Sequence, residues 1–287
     1  MNFINKNIHS DFIKSSLFIP DEYVDLTITS PPYDDLRTYN DKIGTKIGDT
    51  FSFNFEKIVE ELYRITKKGG VVVWVVGDQV KNGGETGNSF RQALSFIEKG
   101  FLLYDTMIYM KNGSPFPEKK RYSQVFEYMF VFSKGKPKTV NIIKDKKNRW
   151  AGHSNFGKRV MRTKSGELKE MPKFEIAEYG NRYNVWQYST GKNYSTKDKI
   201  AFEHPAIFPE ELAEDHILTW SNEGDLVLDP MVGSGTTSKM SKLNSRNFIG
   251  FDINIDYINI ANQRVSDAIP YTNELPNPKN KFIVKKN

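Results

Sequence analysis

The segment Leu226-Val227-Leu228-Asp229-Pro230-Met231-Val232-Gly233-Ser234-Gly235-Thr236-Thr237 restricts the chain to one kind of architecture. A short apolar run ends in an acid, passes through a glycine-bearing turn and enters a helix start. Phe248-Ile249-Gly250-Phe251-Asp252 follows as a second strand, again closed by an acid. Strand, turn, helix and strand in that order make a βαβ unit, and such units build parallel sheets with helices on both faces. The pattern also nominates a ligand site. Glycines let backbone approach a bound molecule closely, and an acid at the next strand end binds ribose hydroxyls. Asp229, Pro230, Gly233, Ser234, Gly235, Thr236 and Asp252 are therefore the candidate cofactor-binding residues. A phosphate loop fits poorly, because Thr236-Thr237 stands where its Lys belongs. A nicotinamide fingerprint fits imperfectly, because Ser238 occupies its third glycine position.

The rest of the chain alternates strand and helix signals. Val24–Thr29 reads as a strand, and Phe53–Thr66 as a helix with Phe55, Ile58, Val59, Leu62 and Ile65 at helical spacing. Val71–Val76 is a continuous β-branched and aromatic run, as in a buried central strand. Ser89–Glu98 reads as a helix stopped by Gly100. Leu102–Met110 and Glu127–Phe132 read as an antiparallel pair at one sheet edge. Pro209–Trp220, Thr236–Leu243 and Ile255–Ile269 read as helices.

The first strand runs into Thr29-Ser30-Pro31-Pro32-Tyr33. In an α/β sheet, chemistry sits at the carboxyl ends of strands. Two prolines remove two backbone donors and leave their carbonyl acceptors free. The result is a stiff, acceptor-rich corner beside a ring able to stack on a flat ligand. It suits a planar heterocycle with an exocyclic amine.

Together, Ser-Pro-Pro-Tyr and the downstream glycine turn resemble the amino-group DNA methyltransferases that use S-adenosylmethionine. The catalytic corner precedes the cofactor loop, as in the β-class, permuted arrangement. The resemblance covers about residues 8–133 and 200–266. It implies an αβα sandwich around a mostly parallel, seven-stranded sheet with one antiparallel hairpin. It assigns Ser30, Pro31, Pro32 and Tyr33 to catalysis. It places Asp11, in Ile8-His9-Ser10-Asp11, where the family carries an acid for the cofactor adenine, although an N-cap role is the rival. It matches His204-Pro205-Ala206-Ile207-Phe208 to a segment in which Phe208 packs against the cofactor. Gly77-Asp78 would border the pocket. The family usually carries Phe where Met231 or Val232 stands. Ser30 tilts the base toward cytosine-N4, with adenine-N6 the close alternative. RNA or protein methylation and a catalytically inactive DNA-binding protein are more distant readings.

Between the two halves the character changes. From Lys134 to Lys173 the chain is basic and weakly periodic, with Trp150, His153 and Phe156 interleaved. A charge run is often only a solvated loop. Here it lies where this family carries target recognition, and a formal net charge of +6 suits a polyanionic partner. Arg149, Lys158, Arg159, Arg162 and Arg182 are the candidate DNA contacts. The expected organisation is a catalytic half (1–133), a recognition insertion (134–199), a cofactor-binding half (200–269) and a loose or surface-packed tail (270–287). There is no cysteine, which argues against cytosine carbon-5 methylation through a thiol adduct. The four histidines are scattered and suggest no metal site. No signal-peptide or membrane-spanning pattern is present, so a cytoplasmic enzyme on double-stranded DNA is expected. The resemblance also raises a cognate restriction endonuclease as a partner, and a monomer or homodimer as the state.

Overall fold

The computed structural model describes residues 3–32, 54–113, 120–154, 160–272 and 274–284. Its centre is an eight-stranded sheet. The strands are β1 (Lys6–His9), β2 (Val24–Thr29), β3 (Thr66–Val76), β4 (Leu102–Lys111), β5 (Phe126–Ser133), β6 (Val185–Tyr188), β7 (Leu226–Asp229) and β8 (Asn247–Asp252). In space they run β1-β8-β7-β2-β3-β5-β4-β6. Only β5 opposes the others. The mostly parallel sheet and its antiparallel hairpin are as expected, with two corrections. The sheet has eight strands, not seven. The β4–β5 hairpin is not the edge, because β6 pairs in parallel with β4 outside it.

Six helices cover the sheet among the described residues: α1 (Phe12–Ser16), α2 (Phe55–Ile65), α3 (Asn88–Lys99), α4 (Glu210–Trp220), α5 (Thr236–Leu243) and α6 (Ile255–Asp267). Alternation along β3 explains the two layers. Val72, Trp74 and Val76 join a core with Ile58, Leu62 and Phe96 of α2 and α3. Val71, Val73 and Val75 join the opposite core with Leu212, Ile217 and Met240 of α4 and α5. β3 is thus buried on both faces, which is why its sequence does not alternate in polarity. Each fully buried Leu, Ile or Val contributes about 1.5–3 kcal/mol.

Chain order reverses at β2, with β3 on one side and β7 on the other. The carboxyl ends of β2 and β7 therefore border the crevice where α/β sheets bind ligands.

The insertion and the tail are more ordered than their polarity suggests. Residues 142–154 run antiparallel to 175–182. Arg182 N donates to Ile143 O (2.9 Å), Asn148 N to Glu178 O (2.8 Å) and Gly152 N to Ile176 O (2.9 Å). Beyond, Val160–Arg162 pairs with Leu168–Glu170. The tail is tied down: Ile283–Val284 pairs with Ile142–Ile143. Asn277 is buried and donates to Glu214 Oε1 (2.9 Å) and Asn244 Oδ1 (2.7 Å).

Candidate active site

The two sequence motifs, two hundred residues apart, meet at one hydrogen bond. Thr29 Oγ1, at the end of β2, donates to Asp229 Oδ1, at the end of β7, over 2.8 Å, and both groups are buried. Parallel pairing sets this up: Leu26 lies opposite Val227 and Thr27 opposite Leu228. Thr237 Oγ1, in the first turn of α5, donates to Ile28 O (3.3 Å) and binds the same strand to the cofactor loop. Ser30 and Pro32 are partly accessible just beyond, and Pro31 is buried. Tyr33, the expected stacking ring, lies outside the described residues.

Asp229 also accepts from Met231 N (3.1 Å), which shapes the turn. Burial drives its carboxyl up to about 6, against the hydrogen bonds that favour its charge. Asp252 closes β8 on the neighbouring strand. Its two oxygens accept from Gly233 N (2.9 Å) and Asn254 N (2.9 Å), and burial raises its pKa as well. Asp11 lies at the same sheet end, two residues beyond His9, which pairs with Asp252. It is the N-cap of α1, accepting from Lys14 N (3.1 Å). The strand ends thus bring Asp11, Asp229 and Asp252 to one edge.

The glycines answer to the protein's own packing. Gly233 and Gly235 hold left-handed φ values of 47° and 82°. A Cβ on Gly233 would lie 2.8 Å from His204 Nε2, and one on Gly235 would lie 2.6 Å from Ala261 Cα of α6. Glycine is thus required to press the loop against α6 and His204, whose ring packs edge-on to Tyr257 at 4.2 Å. Phe208 is half-buried against the α4 and α5 layer.

The side chains of Ser234 and Thr236 are engaged within the protein. Their hydroxyls face inward to Arg264 of α6. Arg264 is 1 % exposed and donates to Ser234 O (2.6 Å), Ser234 Oγ (3.1 Å) and Thr236 Oγ1 (3.2 Å). The same guanidinium binds Asp198 Oδ2 (2.9 Å) and Glu210 Oε1 (2.6 Å), which Lys239 also contacts at 2.7 and 2.8 Å. Burial pushes the Asp198 pKa up, but the bonds from Arg264 and Lys239 outweigh it and hold it below the usual range. Two cations and two anions thus clamp the loop to the segment leading into α4. Sequence reasoning missed this clamp and Thr29. A signal existed: Arg264 continues the buried stripe Tyr257, Ile258 and Ala261, and a charge on such a stripe needs buried partners.

Asp78 does not stand as an open pocket group. It is buried at the start of α3, bonded to Ser89 Oγ and accepting from Ser89 N and Thr86 Oγ1 (both 3.1 Å). Among the expected DNA contacts, Arg149 and Arg162 are exposed, while Lys158 and Arg159 lie outside the described residues. Arg182 is corrected: its guanidinium is ion-paired to Asp145 and, at 2.5 Å, to buried Asp215, so it is not available to a base edge.

A parallel sheet with a rigid acceptor corner beside a glycine loop and two strand-end acids defines an α/β enzyme of the nucleoside-cofactor type. The chain belongs to the DNA methylase family: the family model of that description, covering the N6 and N4 kinds, matches residues 24–263. It is 56% identical over 252 residues to the orphan methyltransferase M.BamHII of Bacillus amyloliquefaciens, covering 88% of this chain and 92% of that one. It is 27% identical to the DNA adenine methyltransferase YhdJ of Escherichia coli (strain K12), over 93% of this chain and 84% of that one. Among solved structures, the cytosine-N4-specific PvuII DNA methyltransferase superposes with a TM-score of 0.64 at 19% identity, covering 90% and 85% of the two chains. A putative DNA modification methylase of Thermus thermophilus, complexed with S-adenosyl-L-methionine, superposes with a TM-score of 0.59 at 22% identity, covering 92% and 96%. The protein is thus an S-adenosylmethionine-dependent DNA amino-methyltransferase.

Proposed function

We propose that this enzyme methylates cytosine-N4 in a short duplex DNA sequence, on a nucleotide flipped out of the helix. The observation that carries the reading is the Thr29–Asp229 hydrogen bond, which joins the Ser-Pro-Pro corner to the cofactor loop. The residues present suit the cofactor. Asp252, partly accessible at its strand end, suits the ribose hydroxyls, Asp11 the adenine, and Asp229 the methionine amino group. Bound there, S-adenosylmethionine supplies an electrophilic methyl.

The amine of cytosine is a poor nucleophile because its lone pair is delocalised into the ring. Ser30 Oγ and the Pro31 carbonyl accept hydrogen bonds from its two N–H groups and draw the nitrogen toward tetrahedral geometry. The N–C bond would form as the sulfonium C–S bond breaks, leaving the neutral thioether, and the nitrogen would release one proton to solvent. Tyr33 stacks on the base and fixes its plane. Alignment supplies most of the acceleration, and the base must leave the stack to reach the corner. The family resemblance supports cytosine, since Ser at the position of Ser30 is more typical of its cytosine-N4 members and Asp of its adenine-N6 members. Adenine-N6 is the second reading, favoured by the similarity to an adenine methyltransferase.

Base-resolved mapping of genomic DNA from an unmethylated host expressing the chain tests the proposal. Cytosine-N4 marks at one motif are expected. Adenine-N6 marks would overturn the base assignment and keep the mechanism. An absence of marks from folded, cofactor-binding protein would overturn the DNA reading.

A further inference from the structure

Three segments meet the sheet at the carboxyl end of β3. Thr29 of β2 pairs with Trp74 of β3, so Ser30-Pro31-Pro32 emerges first. Beyond Val76, β3 leads through Asp78 into a hairpin, Val80–Lys81 with Gly84–Glu85, turned by Asn82 and Gly83 at φ 52° and 82°. Two positive φ values make the tight turn whose twist matches its strands. β5 starts at this same end, since its Tyr128 lies opposite Val76, and residues 120–125 lead into it. The spatial order is β7-β2-β3-β5. The cofactor loop therefore lies on one side of the Ser-Pro-Pro corner and the 120–125 segment on the other. At about 4.8 Å per strand, the start of β5 stands roughly 10 Å from the end of β2.

Residues 120–125 are fastened on either side of Tyr122. Arg121 Nη2 donates to Gly83 O of the hairpin (2.6 Å), and Val125 O accepts from Lys111 N of β4 (2.7 Å). Between these ties Tyr122 is 100 % exposed, against 75 % for Ile269, the next most exposed large apolar side chain among the described residues. A tyrosine ring stabilises a fold by burying its large apolar body, so a ring placed wholly in water is unused by the fold. Lys120, Arg121, Ser123 and Gln124 are exposed as well, and each is cationic or neutral. Such a segment suits a phosphate backbone, and a flat ring can stack on the face of any base.

We propose that Tyr122 enters the base stack of duplex DNA and fills the gap left by the flipped target nucleotide, with Arg121 holding its loop in place. A base that leaves the stack loses its stacking and pairing. Side chains that wedge between base steps hold them open. An aromatic ring stacks on whichever base flanks the gap, so it offsets part of that loss without regard to sequence. Tyr122 acts on the opening of the target and touches neither the cofactor nor the reacting amine, which makes it a positioning residue. This rests on the reading of DNA amino-methylation on a flipped base and names the group that keeps the base out.

The test uses the full chain with S-adenosylhomocysteine and a duplex selected for binding from a random-sequence pool. The fluorescent base 2-aminopurine, which brightens when unstacked, is placed in turn at each position of the selected motif. Wild type should brighten one position. Tyr122→Ala should cut that signal and slow single-turnover methyl transfer by about tenfold or more, the scale of one base–aromatic stack. Tyr122→Phe should keep both, because the ring stacks and the hydroxyl does not. A duplex with an abasic site opposite the target, whose pair is already broken, should restore Tyr122→Ala to within about threefold of wild type. Cofactor affinity and thermal unfolding should not change. Full signal and rate in Tyr122→Ala would overturn the wedge and leave the methylation reading intact. An equal loss on the paired and abasic duplexes would also overturn it, since a plain DNA contact gives that result. Wild type that brightens no position would overturn flipping and the wedge together. Wild type that brightens one position in a Tyr122-dependent way, yet transfers no methyl, would sink the methylation reading and leave the wedge standing.

Discussion

The cofactor loop and the hairpin of Val160–Arg162 with Leu168–Glu170 are both glycine-bearing turns with polar side chains, yet they are built by opposite rules. In the loop almost every polar group is already held. Ser234 and Thr236 are fixed by Arg264, Asp229 by Thr29, and Gly233 sits against His204. In the hairpin, strand pairing and the turn hold the chain, and every side chain of its two strands faces solvent. The loop has the stricter task. Methyl transfer needs reacting atoms placed within fractions of an ångström, so its scaffold is cross-linked by buried bonds. The exposed hairpin carries its charges at the surface without disturbing the core.

The sharpest way to break this contrast is at the corner itself. Ser30→Ala should lower kcat by on the order of a hundredfold, the size typical of losing one preorganised polar group. Its cofactor affinity should stay within a few-fold of wild type by calorimetry. An unaffected rate would remove Ser30 from the mechanism. Tyr33→Ala should likewise lose transfer and keep cofactor affinity.

The clamp is tested through stability rather than rate. Arg264→Ala leaves Asp198 and Glu210 without their buried cation, a change that destabilises by about 3–5 kcal/mol. Chemical denaturation should show that loss, with cofactor affinity falling alongside. A neutral result would mean that Lys239 alone holds the loop.

Asp229→Asn tests the strain stored in the loop. The folded carboxyl titrates at about 6 against an ordinary 3.8, so the folded state takes up a proton more readily than the unfolded one. Its stability is greatest below pH 3.8, falls as pH rises toward 6, and is flat above. At ~1.4 kcal/mol per unit, the charged group disfavours the cofactor-free fold at pH 7 by ~3 kcal/mol. Asp229→Asn keeps the acceptor for Thr29 and should raise cofactor-free stability at pH 7 by up to that amount, with the gain vanishing near pH 4. Cofactor affinity should fall at the same time. A gain that does not depend on pH would refute the titration argument.

The smallest effect belongs to the exposed hairpin. Lys164→Ala should change stability by less than about 0.5 kcal/mol, since it is exposed and far from any buried feature. A large loss would mean the hairpin packs more than its exposure indicates.

What can be read from the sequence, and what cannot, follows the same division. β2 and β3 are legible because their apolar runs are continuous, and α2 because its stripe repeats at helical spacing. β1 and β6 are hidden. Each has four residues, and β6 turns only Trp186 and Tyr188 inward. The tail reads as loose because it is polar, but its Asn277 and Lys279 satisfy Glu214 and Asp215, buried acids invisible without the fold. Arg182 misleads for the same reason, since a basic residue in a basic run reveals nothing of a buried acid on a helix that comes later in the chain. In the site, the strand ends are legible and the Arg264 clamp is not, because its partners come from positions 198, 210, 234 and 236.

The Thr29–Asp229 bond also bears on timing. It closes a loop of two hundred residues, so it belongs to the slow, long-range class of contacts. Until β7 has been synthesised, a growing chain can pair β2 with β3 but lacks Asp229, the acceptor that ties the Ser-Pro-Pro corner to the cofactor loop. Each polypeptide therefore becomes competent to mark DNA only after its second half has emerged and folded, and unfinished chains modify nothing.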